Sequence, residues 1–150
     1  MTSRIILDSS ILVEYTKRNK TELLDYLLQT RPGQLYINST VLSEYTYHWL
    51  GNNGQKSPRT LQQTGMIGSL IEGNNQDEFL NLFTVLPSSN AIIPLYLRLM
   101  QQYNLLPNDA LILAAAKLHD IPALASYDSD FEVACTGEGL RLVRAAGDLG

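Results

Sequence analysis

Short apolar runs alternate with longer helical patterns along this chain, and that alternation leaves few folds open. Residues 4–7 read as a fully buried strand, with Met1 adding to the apolar lead-in. A helix follows from Ser9 or Ser10 to about Thr16. "TELLDYLLQT" is a second helix with Thr21 as its N-cap, and Pro32-Gly33 stops it. "QLYIN" is a strand, and "VLSEYTYHWL" a helix capped by Ser39 or Thr40, with a stripe of Leu42, Tyr45 and Trp49. "GNNGQKSPR" and "GNNQDE" are loops by composition. Residues 60–72 between them are weakly helical and broken by Gly65 and Gly68. A third strand falls at residues 82–86 and a helix at residues 90–103. Pro107-Asn108 opens "DALILAAAKLHD". "IPALASY" is a strand, "DSDFEVA" a short helix and "LRLVR" the last strand. The pattern predicts an α/β fold over residues 1–150, one domain with a central, mainly parallel sheet flanked by helices.

Composition narrows the function. No apolar run reaches the ~18 residues of a membrane span, and the N-terminus enters its strand without a signal-peptide core. The lone cysteine, Cys135, has no internal disulfide partner and no companion for a zinc site. It reads as a small buried residue in a reducing, cytoplasmic setting. The net charge of −4 argues against nucleic-acid binding through the whole surface, and leaves room for a local basic strip or a concentrated acidic pocket.

In parallel α/β sheets, ligands sit at the carboxyl ends of the strands. Asp8 follows the first strand in "LDSSILVEY", where a carboxylate is costly unless something pairs with it. Its ordinary reading is an N-cap. Glu44 flanks the apolar stripe of its helix and reads, alone, as a solvated side chain. Asp109 suits the dipole of its helix start, yet "ALILAAA" is apolar on every side, so the charge needs a partner. Asp128 and Asp130 form "SYDSDF", a turn with a helix cap or a metal site. Carboxylates gathered from Asp8, Glu44, Asp109 and one of the last two would repel one another without a cation. Oxygen donors suit Mg²⁺ or Mn²⁺, which activate water and offset phosphodiester charge.

On these residues the chain resembles the PIN-domain ribonucleases, of the kind found as toxins in VapBC toxin–antitoxin pairs. "IILDSSILVEY", "STVLSEY", "LPNDALILAAAKLHDIPALASYDSDF" and "LRLV" match in order and spacing, over almost the whole chain. The resemblance implies a PIN-like fold and a metal-dependent endoribonuclease. Asp8, Glu44, Asp109 and Asp128 become the catalytic and metal-binding acids, with Mg²⁺ or Mn²⁺ as the cofactor. Ser126 stands where the family usually has Thr, and its hydroxyl offers the same hydrogen bond. Asp130 takes the next, more variable acidic position. Ser9 follows the first Asp, as in many members, and is expected to assist through a water or a hydrogen bond. The resemblance also implies an antitoxin partner and a homodimer. Residues 51–78 match nothing in the pattern and are read as a lid, an antitoxin surface or an RNA clamp.

Rival folds fit less well. A receiver domain wants paired acids after strand one and a Lys after its last strand, against "LDSS" and "LRLVR" here. A haloacid-dehalogenase phosphatase wants DxDx[TV] early, and the DxD here comes late. A non-catalytic PIN-like scaffold would have lost an acid, and all four are present. A PIN ribonuclease of RNA processing or decay would use the same chemistry as a toxin. His48 and His119 read as surface or packing residues, Tyr45 and Trp49 as core. Lys17, Arg18 and Lys20 form a dense basic cluster, a solvated helix end or a track for RNA phosphates. Lys56 and Arg59 are similar candidates. Single-stranded or loop RNA suits a pocket better than a duplex does. The helices around residues 23–28 and 45–49 are expected to expose a groove for an amphipathic partner peptide.

Overall fold

The run Ile5–Leu7 has no polar face, so it belongs in a sheet covered on both sides. In the computed structural model, which describes residues 4–149, it is β1 and is buried throughout. Met1 and Gly150 lie outside the described residues. The chain continues through α1 (Ser9–Thr16), α2 (Glu22–Thr30), β2 (Leu35–Ile37) and α3 (Ser39–Gly54). Next come α4 (Pro58–Gln63), α5 (Ile67–Glu72), α6 (Gln76–Leu80), β3 (Thr84–Val85) and α7 (Ile92–Tyr103). It closes with α8 (Pro107–Leu118), β4 (Ala123–Ala125), a 3₁₀ turn (Ser129–Phe131), α9 (Glu132–Glu138), β5 (Arg141–Val143) and a second 3₁₀ turn (Ala146–Leu149).

The sheet order is β3-β2-β1-β4-β5, and every described pairing is parallel. Leu7 pairs with Ala125 in the β1–β4 register. After β1 the chain steps outward through β2 and β3, then returns to lay β4 on the other side of β1. That reversal makes the crevice at the carboxyl ends of β1 and β4 the place where a ligand fits. Asp8 and Ser126 are the first residues beyond those two strands. No helix among the described residues is long and apolar enough to cross a membrane.

Packing follows the sequence pattern with local exceptions. Ala110 and residues 112–116 of α8 are buried, as an all-apolar helix requires. Cys135 is buried in α9. The buried stripe of α3 is Val41, Tyr45 and Trp49, with Leu42 half-buried. Its cap is Asn38, whose Oδ1 accepts from Val41 N at 3.0 Å, instead of Ser39 or Thr40. The helix also runs through the first GNN triplet. Asn53 Nδ2 donates back to Trp49 O at 2.9 Å, and Gln55, at φ 55°, ends it. A Cβ on Gly54 would lie 2.6 Å from Leu61 Cδ1, so any larger residue there would force the buried Leu61 side chain to shift. Gly65, at φ 71°, does interrupt the next helical stretch, whereas Gly68 lies inside α5. Gln76 already starts α6 in the stretch that reads as a second loop. Phe79 of α6 packs on Tyr15 and Tyr45, with ring centres 5.8 and 5.7 Å away, which folds this segment onto α1 and α3.

Most of the apolar side chains expected to expose a groove near residues 23–28 and 45–49 are buried instead. Leu23, Leu24 and Leu27 are buried, as are Tyr45 and Trp49. Each such side chain gains about 1.5–3 kcal/mol from burial, so these helix faces turn to the core. Tyr26 and Tyr47 stay exposed on these two helices, and further exposed apolar side chains include Ile93 and Leu97 of α7, Leu106 and Val133.

Candidate active site

Asp8 is 5% exposed, and its carboxylate is held by hydroxyls. Ser10 Oγ and Ser126 Oγ each donate to Asp8 Oδ2 at 2.8 Å, with a longer bond from Ser10 N at 3.4 Å. Both hydroxyls are themselves fixed by backbone. Tyr127 N donates to Ser10 Oγ at 3.1 Å, and Asp128 N to Ser126 Oγ at 2.9 Å. Two parallel relays therefore run from the turn after β4 to one oxygen of Asp8. These bonds leave Asp8 Oδ1 to the cleft. Burial pushes the Asp8 carboxyl above its ordinary pKa, the hydroxyl bonds oppose that, and the charge of Glu44 adds to it.

Glu44 arrives from α3 and is held at both oxygens. Ser9 Oγ donates to Oε1 at 3.1 Å, and Asn108 Nδ2 to Oε2 at 2.9 Å. Asp109 enters from the first turn of α8, whose start carries no side-chain cap bond. Asp109 is the acid in that first turn, where the helix dipole favours it without any cap bond. Asp128 accepts from Asp130 N at 2.9 Å and caps the 3₁₀ turn.

Asp8, Glu44, Asp109 and Asp128 line one cleft of about 240 Å³, together with Ser9, Ser10, Val13, Glu14 and His48. Asp109, Asp128 and Asp130 come closest, each placing a carboxylate oxygen within 4.8 Å of the others. Asp130 is exposed and does not itself line the cleft, so it stands at the edge of this cluster. Burial, then the charges of Asp8, Asp128, Glu44 and Asp130, push the Asp109 carboxyl up to about 7. No Lys or Arg lines this cleft among the described residues. The donors are oxygens, their charge is uncompensated and no thiol is near, which is the set that holds a hard divalent cation.

Ser10, Asn108, Glu14 and His48 escaped the sequence reading. Ser10 had a signal: a second hydroxyl after a strand-end Asp is placed to bond that carboxylate within one turn. Asn108 beside Asp109 had none, because its target lies 64 residues away. His48 is exposed at the cleft, one turn beyond Glu44, and His119 is half-buried elsewhere, its Nε2 3.1 Å from Pro87 O. The basic candidates separate. Lys17 pairs with Glu14 at 3.8 Å, and Lys20 sits 4.6 Å over the ring of Tyr127. Lys17, Arg18, Lys56 and Arg59 do not line the acidic cleft, and neither does Lys20.

A parallel sheet with acids gathered at its central crevice defines an α/β protein with a hard-cation site. The PIN domain family profile matches residues 5–136, and the chain belongs to that family. It is similar to two proteins of Methanocaldococcus jannaschii. Ribonuclease VapC2 is 26% identical over 132 residues, covering 87% of this chain and 88% of the relative. Ribonuclease VapC6 is 29% identical over 140 residues, covering 87% and 92%. Among solved structures, DNA-bound VapBC from Salmonella typhimurium aligns with a TM-score of 0.63 at 16% identity, over 95% of this chain and 98% of that one. The sarcin–ricin-loop-cleaving toxin VapC20 of Mycobacterium tuberculosis aligns at 0.60 and 15%, over 87% and 94%.

Proposed function

We propose that this protein is a metal-dependent endoribonuclease and the toxin of a VapBC-type toxin–antitoxin pair. One observation carries the reading: acids from β1's exit, α3, α8 and β4's exit converge on one cleft at the sheet's reversal. The ribonuclease relatives extend over most of the chain and of their own length, which supports the same assignment. Asp8, Glu44, Asp109 and Asp128 are the residues that would hold the cation, with Asp130 beside them. Mg²⁺ or Mn²⁺ in such a site supplies neutralisation at a phosphodiester and acidifies a water.

The chain's own residues do the rest. Ser10 and Ser126 fix Asp8 by one oxygen and aim the other into the cleft. Ser9 and Asn108 fix Glu44 by both, so that carboxylate needs no reorganisation when a substrate arrives. Asp109 and Asp128 bring carboxylate oxygens within 4.8 Å of each other, where a cation held between them would offset the charge of a phosphate. A shallow acidic cleft suits the exposed backbone of single-stranded or loop RNA.

In this reading a cognate antitoxin restrains the enzyme in the cytoplasm, and two copies pair as a homodimer. Solved neighbours whose descriptions name VapBC or toxin–antitoxin complexes support the partner. Purified protein incubated with single-stranded RNA tests the activity. Cleavage should require Mg²⁺ or Mn²⁺ and stop in excess chelator, and equal cleavage in chelator would overturn the reading.

A further inference from the structure

A second cleft, of about 300 Å³, takes its walls from α2's entry, the turn after β4 and the residues after β5. Its chemistry is opposite to that of the acidic one. Lys20 and Arg144 bring two cations, Asn19 and Thr21 add neutral polar groups, and Glu22 is the one acid among its lining residues. Lys20 is held over the face of Tyr127, which positions its charge without neutralising it. Arg144 is anchored at one end, with Nη2 2.7 Å from Glu132 Oε1, and keeps 39% of its side chain exposed.

The two clefts share one short segment. Tyr127 forms part of the basic wall, and its amide donates to Ser10 Oγ in the acidic site. Asp128, the next residue, lines the acidic cleft. A polyanion entering that cleft meets carboxylates and, among the described residues, no Lys or Arg. Apart from a bound divalent ion, the protein's own attraction for the strand has to come from cations beside the site. Lys17, Arg18, Lys56 and Arg59 line neither cleft.

We infer that the cleft of Lys20, Tyr127 and Arg144 is a phosphate subsite, which holds the RNA backbone on one side of the bond being cut. The inference rests on the ribonuclease reading for the identity of the strand. Lys20 and Arg144 take one backbone phosphate between them, and Tyr127 ties that grip to the chain segment that carries Asp128. Continuity with the acidic cleft favours a nucleic-acid strand over an acidic peptide, which would gain nothing from reaching Asp128.

The test is equilibrium binding of a fluorescent single-stranded RNA of about a dozen nucleotides, in chelator so that nothing is cut, across a salt series. Wild type is compared with the double variant Lys20→Ala/Arg144→Gln and with Glu22→Gln. The double variant should bind roughly 10-fold more weakly, and its log K against log salt should be shallower by about 0.7 for each phosphate that is no longer neutralised. Glu22→Gln should bind tighter by about 2-fold, since a like charge leaves the subsite. A gain cannot come from misfolding, so this variant guards the first. Unchanged affinity and slope in all three would overturn the subsite. So would a double variant that binds RNA as wild type does but no longer binds a protein partner. Cleavage of the same RNA in Mn²⁺ is scored separately: its absence in wild type overturns the ribonuclease reading, while the binding series alone decides the subsite.

Discussion

Ser126 donates a 2.8 Å hydrogen bond to Asp8 across 118 residues of chain, and the same hydroxyl accepts from the backbone of Asp128. One buried oxygen thus ties the strand-end acid to the turn that carries two more. Ser126→Ala removes a donor that opposes the raised pKa of Asp8 and strands the Asp128 amide. The loss of such a buried bond costs about 1–3 kcal/mol. Metal affinity measured by calorimetry should fall, and Ser126→Thr should restore it. An alanine variant with wild-type stability and metal affinity would remove Ser126 from the site.

Asn108 acts on Glu44, not on substrate. Asn108→Leu keeps the branched shape of the side chain and deletes the donor to Oε2. The cleavage rate at saturating RNA should fall by about 10-fold, equivalent to ~1.4 kcal/mol of barrier. KM should move less, because the side chain does not touch the RNA. A variant with an unchanged rate and a raised KM would place Asn108 against the substrate instead.

Glu138 gives an acid limb to stability that has nothing to do with the site. Its carboxylate accepts from Arg98 at 2.7 and 3.1 Å and from Tyr103 at 2.6 Å, with Lys117 Nζ at 3.2 Å. Bonding to Arg98 leads in holding its pKa down to about 2. A depressed folded pKa contributes stability that is present above the unfolded value near 4.5 and lost as pH falls towards 2. Glu138→Gln should therefore lower the melting temperature at neutral pH and flatten its decline between those values. Parallel curves for the two proteins would contradict this.

Asp109 makes the opposite contribution in metal-free protein. Its folded pKa of about 7 lies above its ordinary 3.8, so the folded state binds the proton more tightly. Stability should fall as pH rises from about 4 to about 7. Asp109→Asn should remove that component, and Mn²⁺ should offset it in wild type. Chelated wild type and Asp109→Asn with the same pH slope across that window would show that the crowding is not felt.

Much of this was legible from periodicity and position. Short apolar runs bounded by turn signals read as buried strands, and Asp8, Glu44, Asp109 and Asp128 stood at strand ends or helix faces that a parallel sheet gathers. The resemblance to PIN ribonucleases aligned the same four. Harder to read was whatever depends on a distant partner. Asn108 and Ser10 look like ordinary helix-start residues until Glu44 and Tyr127 are placed beside them. The GNN triplet at residues 51–53 looks like a loop, yet Asn53 bonds backwards and Leu61 shields Gly54, so the helix continues. The apolar faces of α2 and α3 expected at a groove turn mostly inward, leaving Tyr26 and Tyr47 exposed, a choice that the hydrophobic pattern alone leaves open.

The most direct test is the initial rate of single-stranded RNA cleavage as a function of Mn²⁺ concentration, for wild type and Asp109→Asn. Wild type should show a saturable dependence on Mn²⁺ and no cleavage in excess chelator. In the variant the half-saturating Mn²⁺ concentration should rise and the rate at low Mn²⁺ should fall, by more than ~10-fold. Wild-type cleavage that persists in chelator, or a variant whose Mn²⁺ curve overlays that of wild type, would contradict a catalytic metal held by these acids.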